Sequence, residues 1–305
     1  MTDDGDAAAR VALVELSREL GRPDRAWAVL AEGNTSVALG DGRMLVKASG
    51  ASMAIAVPGD FVAVGLPEVL ALVDAAPDDP AAATDRACAT GATVDTGAGV
   101  DLAADAGPGA GHSADDDEAV RALFAAAAAG GRRPSVEALL HAVCLALPGV
   151  EAVGHTHPVP VNALLCSPRA SLLVEGALFP DQIVVLGTDP LLVPYADPGL
   201  PLARVVRRML GERLAATGSV PKVVYLGNHG MFALGSSPAE VLRITEMAVK
   251  VAQVVLGSLA AGGPVFLSAE DVARIDTRPD ELLRRAALAA GAATSASPSI
   301  DGAST

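Results

Sequence analysis

The chain of 305 residues is 51% hydrophobic but only 3% aromatic, and 22 Lys and Arg against 36 Asp and Glu leave a net charge of −14. That length suits one large domain or two small ones with a sizeable core, and a mean hydropathy of +0.40 excludes general disorder. Nothing supplies a basic patch for nucleic acid or the roughly 18 uncharged apolar residues of a membrane span. The first six residues, Met-Thr-Asp-Asp-Gly-Asp, are acidic where a signal peptide would be basic. Three cysteines (Cys88, Cys144, Cys166) without a Cys-x-x-Cys pair argue against a disulfide framework, so a reducing cytoplasm is expected.

Residues 7–20 place Val11, Val14, Leu16 and Leu20 among charged positions, which predicts an amphipathic helix stopped at Gly21. Strands are predicted over 36–39 and 44–47, joined at Gly40-Asp41-Gly42-Arg43, and over 61–64 after a Pro58-Gly59-Asp60 turn. From 76 to 117 the pattern dissolves into Ala, Asp, Gly, Thr and Pro, read as a flexible acidic insertion. Its glycine clusters at 97–99 and 107–111 lack the preceding strand and following helix of a phosphate loop. Eleven of the acidic residues and one Arg fall between Leu70 and Glu118, so the charge is concentrated there. The remainder, at −4, is ordinary.

Helices are predicted over 118–129 and 136–146, the second capped by Ser135 and stopped by Pro148-Gly149. Short strands follow at 152–156, 163–166, 183–186 and 191–195, then a helix over 201–214. Strands at 223–226 and 231–234 flank Gly227-Asn228-His229-Gly230. A long helix runs from Pro238 to about Ala261, with Ser237 and Glu240 as a capping box. Residues 1–290 are read as one domain of mixed α/β packing, and 291–305 as a disordered tail.

Five histidines occur. His155 and His157 lie two apart at the end of an apolar run, so on a strand both imidazoles face one side. His229 sits in a Gly-flanked turn, and three neutral imidazoles with an open position form a catalytic zinc arrangement. The plain alternative is a polar strand end and an unrelated turn histidine. Glu137 shares a helix face with His141, four residues on, and is either a site carboxylate or a solvent-facing first-turn residue. His141 reads as a buried helix residue, and His112 lies in the insertion.

Five segments occur in one order: Gly33-Asn34-Thr35-Ser36, Lys47-Ala48-Ser49-Gly50, Pro134-Ser135-Val136-Glu137, His155-Thr156-His157-Pro158 and Asn228-His229-Gly230. Together they resemble the class II aldolase/adducin family, over roughly 8–68 and 118–262, and in particular its fuculose- and rhamnulose-phosphate aldolase-type domains. The resemblance implies a three-layer α/β/α sandwich around a mostly antiparallel sheet. It further implies a homotetramer with active sites at subunit interfaces. His155, His157 and His229 would bind one divalent metal, normally Zn2+. Glu137 would be the acid/base carboxylate, and Tyr195 the tyrosine lent to a neighbouring subunit. Asn34, Ser49, Gly50 and Ser135 would line a phosphate pocket, and Lys47 would neutralise an anionic substrate. Val136 stands where the fuculose-phosphate type has a second serine, one hydroxyl donor fewer.

The implied reaction is retro-aldol cleavage of a keto-sugar or sugar phosphate, with an enediolate stabilised by the metal as a Lewis acid. Glu137 would move the proton at carbon and Tyr195 would protonate the other fragment. Other reactions of the family, 4-epimerisation, decarboxylation and dehydration, stay open beside it. A non-enzymatic adducin-like scaffold is disfavoured because the three histidines are retained. A Schiff-base route would need a desolvated lysine among Lys47, Lys222 and Lys250.

Overall fold

The computed structural model of the chain describes residues 3–75, 114–128, 131–281, 283, 284, 286 and 287. The elements run α1 (Asp3–Leu20), β1 (Asn34–Ala38), β2 (Arg43–Lys47), β3 (Phe61–Gly65), α2 (Leu66–Asp74), α3 (Ala114–Ala127), α4 (Ala138–Leu145) and β4 (Ala152–Thr156). They continue with α5 (Val159–Leu165), α6 (Pro180–Leu186), β5 (Leu191–Val193), α7 (Leu200–Thr217), β6 (Val223–Leu226), β7 (Gly230–Gly235), α8 (Pro238–Ala260) and α9 (Ala269–Thr277). The strands form one sheet in the order β3-β2-β1-β4-β7-β6-β5. Every neighbouring pair is antiparallel except β5 and β6.

Strand alternation sends successive side chains into two cores. Met44, Val46, Val153, Val224, Phe232 and Leu234 face the layer built from α2, α4 and α7. Leu45, Ala152, Val223, Tyr225, Met231 and Ala233 face the opposite layer of α1, α5 and α8. Both faces of the sheet are therefore buried, and the architecture is the expected α/β/α sandwich. No helix among the described residues is long and apolar enough to cross a membrane.

Two predicted strands are helices. Residues 163–165 close α5 and Cys166 caps it; Val161, Leu164 and Leu165 recur at helical spacing and Pro160 sits in the first turn. Residues 183–186 close α6, which starts at Pro180 and ends at Gly187 with φ 73°. The β-branched run Ile183-Val184-Val185 reads locally as a strand, but packing against α8 and α9 overrides that propensity. The helices α2 and α9 were not foreseen: α2 buries Val69 and Val73 one turn apart, and α9 is capped by the Ser268 hydroxyl. Ser135 accepts the Glu137 N–H at 3.4 Å, but α4 itself begins at Ala138. Of the proposed insertion, 114–117 form the first turn of α3 and 76–113 lie outside the described residues, as does the tail 291–305.

Candidate metal centre

The central strand β4 supplies the first two imidazoles. Its register pairs Asn34 of β1 with His155, and His155 with Phe232 of β7, so these three side chains form one row across the sheet. His155 is fully buried, stacks on Phe232 with centroids 4.2 Å apart, and lies with its Nδ1 3.0 Å from the carbonyl oxygen of Met231. That oxygen can only accept, so Nδ1 carries a proton and Nε2 is the ring atom turned towards the other side chains of the cluster. His157 lies just past the last ladder pair, Thr156 with Met231, and its Nε2 is 2.8 Å from His155 Nε2. Burial, reinforced by His155 and His229, pushes the His157 imidazole down to about 4, so it is neutral near pH 7.

His229 arrives on the β6–β7 turn, where Asn228 takes a left-handed conformation at φ 53°. The Asn162 side-chain amide of α5 donates to the His229 carbonyl at 2.9 Å, and Asn228 N–H donates to the Leu165 carbonyl at 3.2 Å. Helix α5 thereby holds the turn over the end of β4.

Glu137 comes from the layer above the sheet. Its Oε1 lies 3.0 Å from His155 Nε2 and 3.1 Å from His229 Nε2, while Oε2 accepts from the Asn34 amide. One helical turn on, His141 Nδ1 is 2.6 Å from Ser36 Oγ. The match is geometric: four helical residues rise about 6 Å and two strand residues about 6.6 Å, so Glu137 with Asn34 and His141 with Ser36 form parallel rungs. Burial lowers His141 to about 3, a neutral ring whose Nε2 has no hydrogen-bond partner among the described residues. Burial alone would raise Glu137, but His155 and His229 outweigh it and hold the carboxyl well below the usual range.

Glu137, His155, His157 and His229 offer four donor atoms within 4.8 Å of one another. His155 Nε2 and Glu137 Oε1 face each other at 3.0 Å, and positive charge between them, a proton or a metal cation, is what holds the carboxylate ionised. A cation satisfies that arrangement, and three imidazoles with one carboxylate suit a divalent ion. Tetrahedral coordination at about 2.0–2.1 Å sets donors about 3.3 Å apart; three of the six donor pairs lie at 2.8, 3.0 and 3.1 Å and all lie within 4.8 Å.

The other expected residues lie around this cluster to different degrees. Lys47 is buried, with Nζ donating to the carbonyls of Ala51 at 2.6 Å, Ala31 at 3.3 Å and Ala48 at 3.5 Å. Its ammonium thus ties together two loops, and burial lowers it to about 8. Ser49 and Gly50 are exposed on the turn that Lys47 holds, with Gly50 at φ 77°. Ser49 N–H donates to the Arg133 carbonyl and Ser135 N–H to the Lys47 carbonyl, which brings the two segments side by side. Tyr195 is 52% exposed after β5, and its hydroxyl donates to Asp197 at 3.2 Å, a bond that raises the phenol. Among the described residues no hydrogen bond joins it to the imidazoles. Sequence reasoning passed over the anchors at the Met231 carbonyl, Asn162 and Glu32, the last 3.2 Å from His157 Nδ1. Only the acidic type of Glu32, one residue before the Gly-Asn segment, could have signalled it.

A family model described as Class II Aldolase and Adducin N-terminal domain matches residues 11–256. No curated protein sequence matches the chain. Among solved structures, YgbL of Klebsiella pneumoniae, described as a candidate aldolase/epimerase/decarboxylase, superposes with a TM-score of 0.59 at 21% identity, covering 88% of this chain and 98% of its own. An L-fuculose 1-phosphate aldolase superposes at 0.57 with 18% identity over 90% and 96%. The L-fuculose-1-phosphate aldolase of Thermus thermophilus gives 0.52 with 19% identity over 85% and 100%. At these identities the likeness is one of fold.

Proposed function

The chain belongs to the class II aldolase/adducin family, and from that premise we propose that it is a metal-dependent aldolase, a carbon–carbon lyase that cleaves a keto-sugar or its phosphate reversibly. The observation that carries this reading is the convergence of Glu137 Oε1 on His155 Nε2 and His229 Nε2 inside a three-histidine cluster. When bound to His155, His157 and His229, a divalent ion, Zn2+ by preference, supplies Lewis acidity towards a carbonyl and its neighbouring hydroxyl.

The chain's own groups then divide the work. Glu137, pinned through Oε2 by Asn34, takes and returns the proton at the carbon beside the carbonyl. Ser49, Gly50 and Ser135 present hydroxyl and backbone groups at the rim for the substrate's anionic end. Lys47 contributes positive charge from below while fixing their turn. Tyr195, exposed on its loop, relays the hydroxyl proton away from the fragment that departs as an aldehyde, and returns it in the condensation direction, in an assembled homo-oligomer. Exposed Leu30 and Val159, each two residues from a cluster-facing side chain, are apolar surface of the kind that such an assembly covers. Cytoplasmic residence fits the free thiols of Cys144 and Cys166.

Decarboxylation, dehydration or 4-epimerisation is the second reading. It is favoured by the placement of Tyr195 against Asp197, since a decarboxylase or dehydratase can work with Glu137 as its one proton-transfer group. The test is product analysis with zinc-loaded protein on keto-sugars, their 1-phosphates and sugar acids. Release of dihydroxyacetone phosphate or a glycolaldehyde-type fragment supports the aldolase; carbon dioxide, water loss or an epimer supports the alternative. No turnover of any of these would refute both.

A further inference from the structure

The three imidazoles are oriented by different means. His155 is fixed within the sheet by the Met231 carbonyl, and His229 through its own backbone by Asn162. His157 stands one residue beyond the last ladder pair of β4, so no carbonyl of β7 meets its ring. Its Nδ1 faces a carboxylate oxygen instead, Glu32 Oε2 at 3.2 Å. We propose that Glu32 is a positioning residue for the metal centre, holding the proton of His157 on Nδ1 and so keeping Nε2 free for the ion.

The loop around Glu32 is built for that task. Glu32 Oε1 accepts the Val29 N–H at 2.6 Å, so one carboxylate closes its own loop and meets the imidazole with its other oxygen. The backbone N–H of His157 donates to the Trp27 carbonyl at 2.7 Å, which seats the histidine against the start of the same loop. At the far end, Gly33 at φ 72° lies so close to β4 that a Cβ there would stand 2.9 Å from the His155 carbonyl oxygen. The Ala31 carbonyl accepts from Lys47. The loop is thus tied at residues 27, 29, 31 and 33, and Glu32 projects from a held backbone. A carboxylate behind a ligating imidazole fixes the ring's tautomer and raises its basicity as a ligand.

This inference rests on the metal reading above, and the test separates the two. Wild type, E32A, E32Q and H157A are stripped of metal, and Zn2+ and Co2+ affinities are measured by competition with a chromophoric chelator. The imidazole nitrogen shifts of the metal-free proteins, assigned by the signal lost in H157A, report the His157 tautomer. E32A is expected to bind metal about 10–100-fold more weakly, with the fold retained by circular dichroism and a mixture of His157 tautomers. E32Q keeps one acceptor oxygen, enough for Nδ1–H but not for the Val29 N–H as well, and is expected to lose less affinity than E32A and to keep the tautomer. If E32A does not fold, E32Q against wild type carries the same test, a modest affinity loss with the tautomer retained. H157A weakened while E32A matches wild type in affinity and tautomer would overturn the role of Glu32 and leave the metal reading standing. Wild type without affinity for either ion would overturn both.

Discussion

Gly230 lies directly beneath His157: a Cβ at position 230 would stand 2.5 Å from His157 Cδ2 and 2.7 Å from the Thr156 carbonyl oxygen. The imidazole occupies the space that any other residue would fill, so this glycine sets where the His157 ring rests. G230A should push the ring away from His155 Nε2, costing about 1–3 kcal/mol of stability by overpacking. It should also weaken zinc affinity by tenfold or more. Chelator competition and thermal unfolding check both, and wild-type zinc affinity in G230A would contradict this placement.

Glu137 can act as fourth ligand or as proton carrier, and the two roles predict different variants. With Asn34 holding Oε2, the carboxylate has a support independent of the ion. E137Q should therefore keep its metal and lose turnover by about 10²–10⁴-fold. Metal analysis beside steady-state kinetics decides it: loss of metal as severe as in H155A would make Glu137 a ligand.

Lys47 gives a pH signature. Burial lowers its folded-state value to about 8 from an ordinary 10.5, although Glu137 and Asp60 pull the other way. Between those values the unfolded chain binds more protons than the folded one, so the lysine's contribution to stability rises with pH across about 8 to 10.5. Its penalty is full below that window and relieved above it. Relative to K47M, wild type should gain stability on going from pH 7.5 to 10, by up to about 1.4 kcal/mol per pH unit. Denaturant titrations at both pH values test this; parallel stabilities of the two proteins would contradict it.

A fourth prediction concerns the support of β1. Ser17 Oγ of α1 and Thr35 Oγ1 lie 2.6 Å apart, both fully buried on the face opposite Asn34 and Ser36. S17A leaves the threonine hydroxyl without its partner and should cost about 1–3 kcal/mol. The S17A/T35V pair should cost less than the two single changes added together, as a double-mutant cycle by denaturant unfolding would show. Additive losses would mean that the two hydroxyls do not interact.

The sheet and its two cores were largely legible, because β1, β2, β3, β4, β6 and β7 alternate or carry continuous apolar runs between turn residues. Residues 163–166 and 183–186 misled because four apolar or β-branched residues in a row fit a buried strand and a helix end equally. Only their partners, α8 and α9, decide between them. The convergence of His155 and His157 follows from strand period, but the approach of His229 depends on β4 and β7 being neighbours, which no local pattern states. The rungs of Glu137 with Asn34 and His141 with Ser36 were illegible for the same reason. They require α4 to run along β1. Lys47 reads as a substrate-facing cation from its motif, yet its destination is set by three backbone carbonyls, and carbonyl positions leave no mark in residue types.

The most direct measurement is calorimetric titration of chelator-treated protein with Zn2+, in wild type and in the H155A/H157A/H229A variant. One ion should bind per wild-type chain and none in the variant, with the fold intact by circular dichroism. A wild type that takes up no ion, or a variant that binds one as tightly as wild type, would contradict the metal centre.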